Sequence, residues 1–174
     1  MHIKLERLGN TKNAIYNLVV SVIITNIIIG SDHRGFELKE YIIKNKNKVI
    51  QNDLHPQNKE MIDIGCYDNK EIDFTDIVFD MIDKWAHDSI GILICKTGIG
   101  MSICANRFPN IRGAICKNSD DIISARSHNN ANVLILGAQN DNDEIIEMIN
   151  LFIDTEFRND AKYSRRVDKI SQIK

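Results

Sequence analysis

The sequence predicts an α/β fold in which a five-stranded parallel sheet is covered by helices on both faces. Short apolar runs, rich in β-branched residues, recur along the chain, as expected for strands that are buried on both faces. Between them lie stretches whose apolar residues recur at helical spacing. The alternation of the two patterns is typical of a parallel sheet with helical crossover connections.

The strands are predicted at the apolar runs. The first, Ile23–Gly30, is a continuous run that ends in glycine. The second is less direct: Lys48–Gln51 and Met61–Ile64 frame a polar segment, and together they are interpreted as one strand region with a loop. We expect the common strand order 2-1-3-4-5. The other three strands are predicted at Ser89–Cys95, Ile111–Cys116 and Asn132–Leu136.

The helices are predicted where apolar residues share one face. In the segment 74–85, for example, positions 74, 77, 78, 81, 82 and 85 fall on the same side of a helix. The last segment is basic, so we expect a basic C-terminal helix. The predicted helices are Phe36–Lys46, Phe74–Trp85, Ile99–Phe108, Asp120–His128, Asp143–Phe152 and Asp160–Ile173.

Length and composition restrict the class of protein. The chain has 174 residues and a formal net charge of −2, with a pI near 6.2. This charge balance gives no electrostatic sign of binding to nucleic acid or to an acidic membrane. A hydrophobic content of 43% and a charged content of 26% are those of an ordinary globular domain.

The N-terminal segment is treated separately. We expect residues 1–22 to form a poorly ordered or surface-lying extension and residues 23–174 to form the folded domain. The apolar run Leu18–Ile29 contains polar interruptions and is shorter than the roughly 20 residues of a membrane-spanning helix. An export signal is the less favoured alternative, because its cleavage site would be weak.

The cysteines are interpreted as reduced thiols of a cytoplasmic protein. They form no C-x-x-C pair and no other familiar zinc spacing, and the sequence shows no nucleotide-cofactor or P-loop fingerprint. We therefore expect neither a metal nor a cofactor. Three of the four are expected to be small buried hydrophobic side chains. The four are Cys66, Cys95, Cys104 and Cys116.

The candidate site is predicted at the carboxyl ends of strands one and three, where the strand order reverses. Strand one is followed by Asp32 and His33, which could bind an anionic substrate or take a proton; a solvated loop is the alternative. Strand three ends at Cys95, followed by a glycine-containing turn that opens a helix. Converging amides there favour a thiolate base or nucleophile, and a buried structural cysteine is an equal alternative.

Two further groups are assigned to this site. His128 ends the predicted helix Asp120–His128 just before strand five, and we expect it at the same carboxyl rim. Asn129 and Asn130, which follow it, suit a left-handed helix stop. Lys162 and Arg166 lie four residues apart on the last helix, so they project from one face. With Arg165 and Lys169 they form a basic stripe, either a phosphate clamp or a solvated surface. Together, the thiol, the two histidines, the carboxylate, the loop amides and the cations suit proton transfer on a small phosphorylated carbonyl compound.

Four segments carry a family resemblance. IIIGSDHRGFELK (27–39), MIDIG (61–65), GILICKTGIGMSICAN (91–106) and ARSHNNANVLILG (125–137) resemble type B ribose-5-phosphate isomerases, whose wider group includes galactose-6-phosphate isomerase subunits. The similarity covers about residues 27–173. It implies a Rossmann-like three-layer fold and a metal-free interconversion of ribose 5-phosphate and ribulose 5-phosphate through a 1,2-enediolate. It also implies a homodimer with its active site between the subunits; pairing into tetramers stays open.

The resemblance also implies roles for individual residues. Cys95 would be the base that moves the proton between carbons 1 and 2, and His128 would open the furanose ring. Thr97 would also be catalytic, in the loop whose amides hold the enediolate, and so would Asp32, which together with His33 would contact the sugar and phosphate. Met101 replaces the glutamate base of the other branch of the family. The implied substrate and phosphate ligands are His33, Gly98, Gly100, Asn129, Lys162 and Arg166.

The sequence departs from the family pattern at several positions. Lys96 replaces a usual glycine, which requires a negative φ there. Lys162 and Gln139 stand where arginines are usual, and DFTD (73–76) replaces the usual DYPD. Fewer cations around a phosphate could shift the preferred sugar. A galactose- or allose-6-phosphate isomerase and a non-catalytic sugar-phosphate binding module therefore remain as alternatives.

Overall fold

The sheet has five parallel strands, as predicted. A computed structural model describes residues 26–50, 60–139 and 142–173. Most strand residues are fully buried, as expected for a sheet with helices on both faces. The strands are β1 (Asn26–Ser31), β2 (Glu60–Asp63), β3 (Ser89–Cys95), β4 (Gly113–Ile115) and β5 (Val133–Gly137).

The six predicted helices are present, with ends shifted by a few residues, the usual uncertainty of a helix boundary, and a short helix at Lys46–Ile50 was not predicted. The helix Ser119–Asn129, for instance, is closed by Asn130 in the left-handed conformation, at φ 49°, so the predicted asparagine stop is confirmed. The helices are α1 (Phe36–Lys44), α2 (Lys46–Ile50), α3 (Phe74–Asp83), α4 (Ile99–Ala105), α5 (Ser119–Asn129), α6 (Asn142–Asp154) and α7 (Ala161–Ser171).

The strand order is 2-1-3-5-4, so the predicted order 2-1-3-4-5 was wrong for the last two strands. β5 pairs with β3 on one side and with β4 on the other. β4 is short and half-buried, whereas the first four residues of β5 are fully buried. The more apolar strand therefore occupies the interior of the sheet, and the strand that leads with a glycine takes the edge.

The second strand region is also corrected. Lys48 to Ile50 belong to helix α2, and the strand itself is only Glu60–Asp63. Val49 is fully buried in the core, and the Asn150 side chain donates a hydrogen bond to the Lys48 carbonyl at 3.1 Å. Packing against α6 thus favours a helical turn at Val49 and Ile50, a short apolar pair that would suit a strand equally well. The expected extension, residues 1–22, lies outside the described residues.

Two hydrophobic clusters fill the space between the sheet and its two helix layers. On β1, Ile27 and Ile29 belong to the cluster shared with α1, α5 and α6. Ile28, between them, belongs to the cluster shared with α3 and α4, and so does Cys95 of β3. Side chains that alternate between the faces of a strand produce this division. Among the described residues, no helix combines the length and apolar character needed to cross a membrane.

Candidate active site

The loop after β1 is shaped by the Asp32 carboxylate. Its Oδ1 accepts hydrogen bonds from the backbone N–H groups of Arg34 (2.9 Å) and Gly35 (3.0 Å). The Asp32 N–H donates to the Ile94 carbonyl of β3 at 3.1 Å. A Cβ on Gly35 would lie 2.6 Å from that same oxygen, so only glycine lets the loop lie this close to β3. The β1 loop therefore lies directly against the end of β3; the sequence predicted that it faces the β3 loop across a crevice.

His33, on the same loop, has a defined ring orientation. Its Nδ1 accepts a hydrogen bond from the Ile72 N–H at 3.4 Å. In the neutral ring the proton consequently sits on Nε2, which is a donor that an anionic ligand could accept from. The bond also ties the β1 loop to the segment that precedes α3.

A buried ion pair supports this loop from behind. Lys39 is fully buried, and its Nζ lies 2.8 Å and 3.0 Å from the two carboxylate oxygens of Asp63. Burial alone would lower the pKa of Lys39, but the hydrogen bonds and charges of Asp63 and Glu40 raise it above its ordinary value. Asp63 also accepts from the Gly65 N–H at 2.9 Å, and the Gly65 carbonyl accepts from the Ser31 N–H at 2.7 Å. The network therefore ends one residue before Asp32.

Cys95 is the last residue of β3, and its sulfur is held by the following turn. The Gly98 N–H donates to Cys95 Sγ at 3.1 Å. Gly98 has φ +78°, a conformation that glycine adopts without strain, and this conformation aims its amide back at the sulfur. The cysteine is 5% exposed and packs with the cluster under α3 and α4. The amide N–H therefore fixes the position of the sulfur at the end of the strand.

The other cysteines occupy different settings. Burial raises the pKa of Cys66 and of Cys104. Burial, with a contribution from Asp121, raises the pKa of Cys116 to about 12. Cys66 and Cys116 are buried, as expected for structural cysteines, whereas Cys104 is half-buried. No disulfide is present among the described cysteines.

The residues after Cys95 divide into ligand-facing and packing positions. Thr97 is exposed, and its Oγ1 accepts from the Ile99 N–H at 3.3 Å, so its hydroxyl hydrogen stays available for a ligand. A Cβ on Gly100 would lie 2.8 Å from the Phe74 ring, so this glycine permits α4 to pack on α3. Met101 is fully buried. A glutamate at that position would have to lose its hydration in the core.

A cleft of about 440 Å³ opens at the carboxyl edge of the sheet. It is bordered by the loops after β1, β3 and β5, where the crevice was predicted, but Asp32, Cys95 and Thr97 do not line it. Lys96 has a negative φ, since the non-glycine residues with positive φ among those described are three asparagines. The required backbone conformation is thus met. The lining residues are His33, Arg34, Glu37, Asn69, Lys96, Ala138 and Gln139.

His128 lies at the opposite edge of the sheet, so its expected place at the carboxyl rim was wrong. The helix before a parallel strand delivers its C-terminus to the amino end of that strand. α5 ends just before Val133, which pairs with Gly91, whereas Cys95 pairs with Gly137 at the other end of β5. At about 3.3 Å per residue, the two edges are about 13 Å apart. α5 also packs on the sheet face opposite the Cys95 side chain.

The basic residues of α7 accompany His128 rather than Cys95. The His128 ring stacks on Tyr163, with centroids 4.4 Å apart and planes at 18°. Lys162 Nζ lies 4.5 Å from the Tyr163 ring centre, and the Arg166 guanidinium carbon lies 6.0 Å from it. Arg158, at 5.7 Å, adds a third cation beside the same ring. The predicted partners Lys162, Arg166 and His128 are thus brought together.

Tyr163 itself was missed by the sequence reasoning. It is only 8% exposed, and its period on α7 reads as an ordinary core position. The signal that could have identified it is an aromatic residue flanked by Lys162 and Arg166, since aromatic faces attract cations. Asn129, next to His128, is exposed, and its side-chain amide donates to the Ser124 carbonyl at 3.0 Å.

Two candidate groups result, one at each edge of the sheet. The carboxyl-edge group contains a thiol, a carboxylate, a histidine and a cleft; the amino-edge group contains a stacked histidine and three cations. Within residues 26–50, 60–139 and 142–173, no cluster of three or more His, Cys, Asp or Glu side chains is placed to hold a metal ion.

Comparison with known proteins gives consistent matches along most of the chain. The family model described as Ribose/Galactose Isomerase matches residues 27–170. A Rickettsia conorii protein named for a sugar phosphate isomerase activity is 40% identical over 148 residues, covering 83% of this chain and 96% of the relative. Ribose-5-phosphate isomerase B of Escherichia coli is 31% identical over 150 residues, covering 84% and 95%.

Solved structures support the same fold. The ribose 5-phosphate isomerase B of Anaplasma phagocytophilum superposes with a TM-score of 0.75 at 35% identity, covering 86% of this chain and 99% of that chain. The type B enzyme of Trypanosoma brucei has a TM-score of 0.75 at 32% identity, covering 84% and 97%. The α/β sheet with helices on both faces is therefore shared with these enzymes.

Proposed function

The chain belongs to the ribose/galactose isomerase family, and from that membership we propose that it interconverts ribose 5-phosphate and ribulose 5-phosphate. It is a sugar-phosphate isomerase of the aldose–ketose type. The structural observation that supports this reaction most directly is the Cys95 sulfur, held at the carboxyl end of β3 by the Gly98 amide. A base at this place is what proton transfer between two adjacent carbons requires.

In the proposed step, a single base moves a proton between two neighbouring carbon atoms of the sugar. The Cys95 thiolate removes the proton from C2 of the open-chain aldose, and the electron pair moves to form a 1,2-enediolate. The thiol then returns that proton to C1 while the O2 hydroxyl proton passes to O1, so that C2 becomes the carbonyl carbon and the ketose forms. The Thr97 hydroxyl donates a hydrogen bond to the developing oxyanion. The near-complete burial of Cys95 keeps water away from the intermediate.

Ring opening is assigned to His128, which must then come from a second copy of the chain. Cys95 and His128 lie at opposite edges and opposite faces of one sheet, whereas a pentose 5-phosphate spans only about 7 Å from C1 to phosphorus, at about 1.5 Å per bond. A homodimer in which one copy's α5 and α7 approach the other copy's β3 loop resolves this separation. Lys162 and Arg166 then reach the same substrate as phosphate ligands.

The position of the second copy is suggested by exposed apolar side chains. Phe79 of α3 is 49% exposed, and Ile99 and Ile103 of α4 are 56% and 66% exposed. Exposed apolar surface of this kind marks interaction sites. Ile99 directly follows the Thr97–Gly98 turn, so a copy that covers this surface also reaches the Cys95 loop. We place the subunit contact at α3 and α4 for this reason.

A coupled assay with ribose 5-phosphate tests the proposal, with allose 6-phosphate and galactose 6-phosphate as parallel substrates. We expect the pentose phosphate to be the preferred substrate, with exchange of solvent deuterium into it. Cys95→Ala should abolish that exchange while the melting temperature stays close to that of the parent. Preference for a six-carbon substrate would reassign the sugar, and binding without any conversion would refute the isomerase function.

A further inference from the structure

The cleft at the carboxyl edge is positively charged, and Lys96 is placed to use that charge. Two cations, Arg34 and Lys96, line it against one carboxylate, Glu37. Gln139 faces the same space with a neutral amide. Among the described residues, no carboxylate forms an ion pair with Lys96. An exposed ammonium without a protein partner in a concave site is available to an anionic ligand.

The backbone around Lys96 is fixed although its side chain is free. The Cys95 carbonyl accepts a hydrogen bond from the Ala138 N–H at 2.8 Å, which joins the β3 and β5 loops on either side of the cleft. The Gly98 amide fixes the other end of the turn on Cys95 Sγ. Only the side-chain torsions of Lys96 must therefore be ordered when a ligand binds.

The distances match a small sugar phosphate. Consecutive Cα atoms are about 3.8 Å apart, and an extended lysine places Nζ about 6 Å from its Cα, at bond lengths of about 1.5 Å. A pentose with C1 and C2 at the Cys95 sulfur carries its phosphorus about 7 Å away. The Lys96 ammonium of the same chain is therefore long enough to reach a phosphate group at that distance.

We propose that Lys96 binds the phosphate group of the substrate in this cleft, opposite Gln139, and so selects phosphorylated sugars. The identity of the ligand rests on the proposed function; the cation, its cleft and its neighbour Gln139 do not. Lys96 acts on binding and not on proton transfer, because the phosphate is at the end of the substrate that does not react.

The test measures KM and kcat for ribose 5-phosphate and the dissociation constant of inorganic phosphate, using the full chain. Lys96→Gln removes the charge and should raise both KM and the phosphate dissociation constant by about 10- to 100-fold. The value of kcat should change little, since the lost interaction is common to the ground and transition states. Lys96→Arg should retain tight binding.

Three controls separate a binding role from general damage. Lys44→Gln removes an exposed lysine from the end of α1 and should leave every constant unchanged. Gln139→Arg, added to Lys96→Gln, returns a cation to the opposite wall of the cleft and should restore most of the lost affinity. Turnover of unphosphorylated ribose should be the same in the parent and in Lys96→Gln.

The outcomes for this site and for the enzyme function are separable. If the parent isomerises ribose 5-phosphate and Lys96→Gln changes neither KM nor phosphate affinity, the Lys96 site is refuted and the isomerase stands. If the parent binds inorganic phosphate in a Lys96-dependent way but converts no sugar phosphate, the isomerase function fails and the anion site stands. Loss of kcat alone in Lys96→Gln would also overturn the binding role.

Discussion

Mixing two inactive variants tests whether each active site is built from two chains. One variant carries Cys95→Ala and the other His128→Asn. Each alone should lose about 10²- to 10⁴-fold in turnover, the usual contribution of a general acid or base. The two side chains are at opposite ends of β5, about 13 Å apart along the strand. No single chain can then bring both to one pentose.

The expected recovery follows from counting sites. After subunit exchange at equal concentrations, half of the dimers contain one chain of each kind. Such a dimer has one site with both native side chains and one site with neither. The mixture should therefore regain about a quarter of the parent activity, measured by coupled assay after native mass spectrometry has confirmed exchange.

A chain that carries both substitutions is the matched control. Mixed with an equal amount of the parent, it should spoil both sites of every mixed dimer, so that activity per parent chain falls by about half. Sites confined to single chains predict the reverse: no recovery for the two single variants and no inhibition by the double variant. That pair of results, with exchange demonstrated, would refute the two-chain site.

Three further predictions concern stability and are checked by denaturant or thermal unfolding. Gly35→Ala forces a Cβ to 2.6 Å from the Ile94 carbonyl and should cost about 1–3 kcal/mol; an unchanged melting temperature would show that the loop is not so close to β3. Lys39→Met leaves Asp63 without its cation and should lower the free energy of unfolding by about 3 kcal/mol, the low end for a buried pair because Asp63 is 29% exposed. Adding Asp63→Asn should recover part of that stability. Full stability in the single variant would count against the ion pair. Burial raises the pKa of Cys116 to about 12, so the folded state holds this proton after the unfolded chain has lost it, and stability should fall as pH rises from about 9 to 12. Cys116→Ala should flatten that decline, and an unaltered pH profile would exclude the thiol as its source.

Most of the fold could be predicted from the sequence because burial on both faces leaves an unmistakable apolar run. Ser89–Cys95 was predicted with both ends correct, since every residue of that strand is buried. The order of the last two strands could not be predicted as securely. Whether β4 or β5 lies beside β3 depends on competition for the interior, and that competition is decided by packing between strands far apart in sequence.

The carboxyl-edge part of the candidate site was predictable because it depends on local rules. A polar loop after a buried strand, and a glycine turn before a helix, reach the same edge in any parallel sheet. His128 was placed wrongly because the rule was applied to the wrong end of a helix: a residue that precedes a strand lies at the amino edge. The stacking of His128 on Tyr163 could not be predicted from the sequence, because α5 and α7 meet only through tertiary packing.

The cations proposed as phosphate ligands lie at two opposite edges of the sheet. In one chain, Lys96 lies in a cleft at the carboxyl edge, while Lys162 and Arg166 surround Tyr163 at the other edge. Brought together on one phosphate, cations from two chains would repel one another until the dianion is bound, so the substrate itself should stabilise the dimer. By linkage, ribose 5-phosphate should lower the subunit dissociation constant by the same factor by which dimer formation raises substrate affinity. Lys96→Gln, which removes one of the repelling charges, should tighten the unliganded dimer while it weakens this response to substrate.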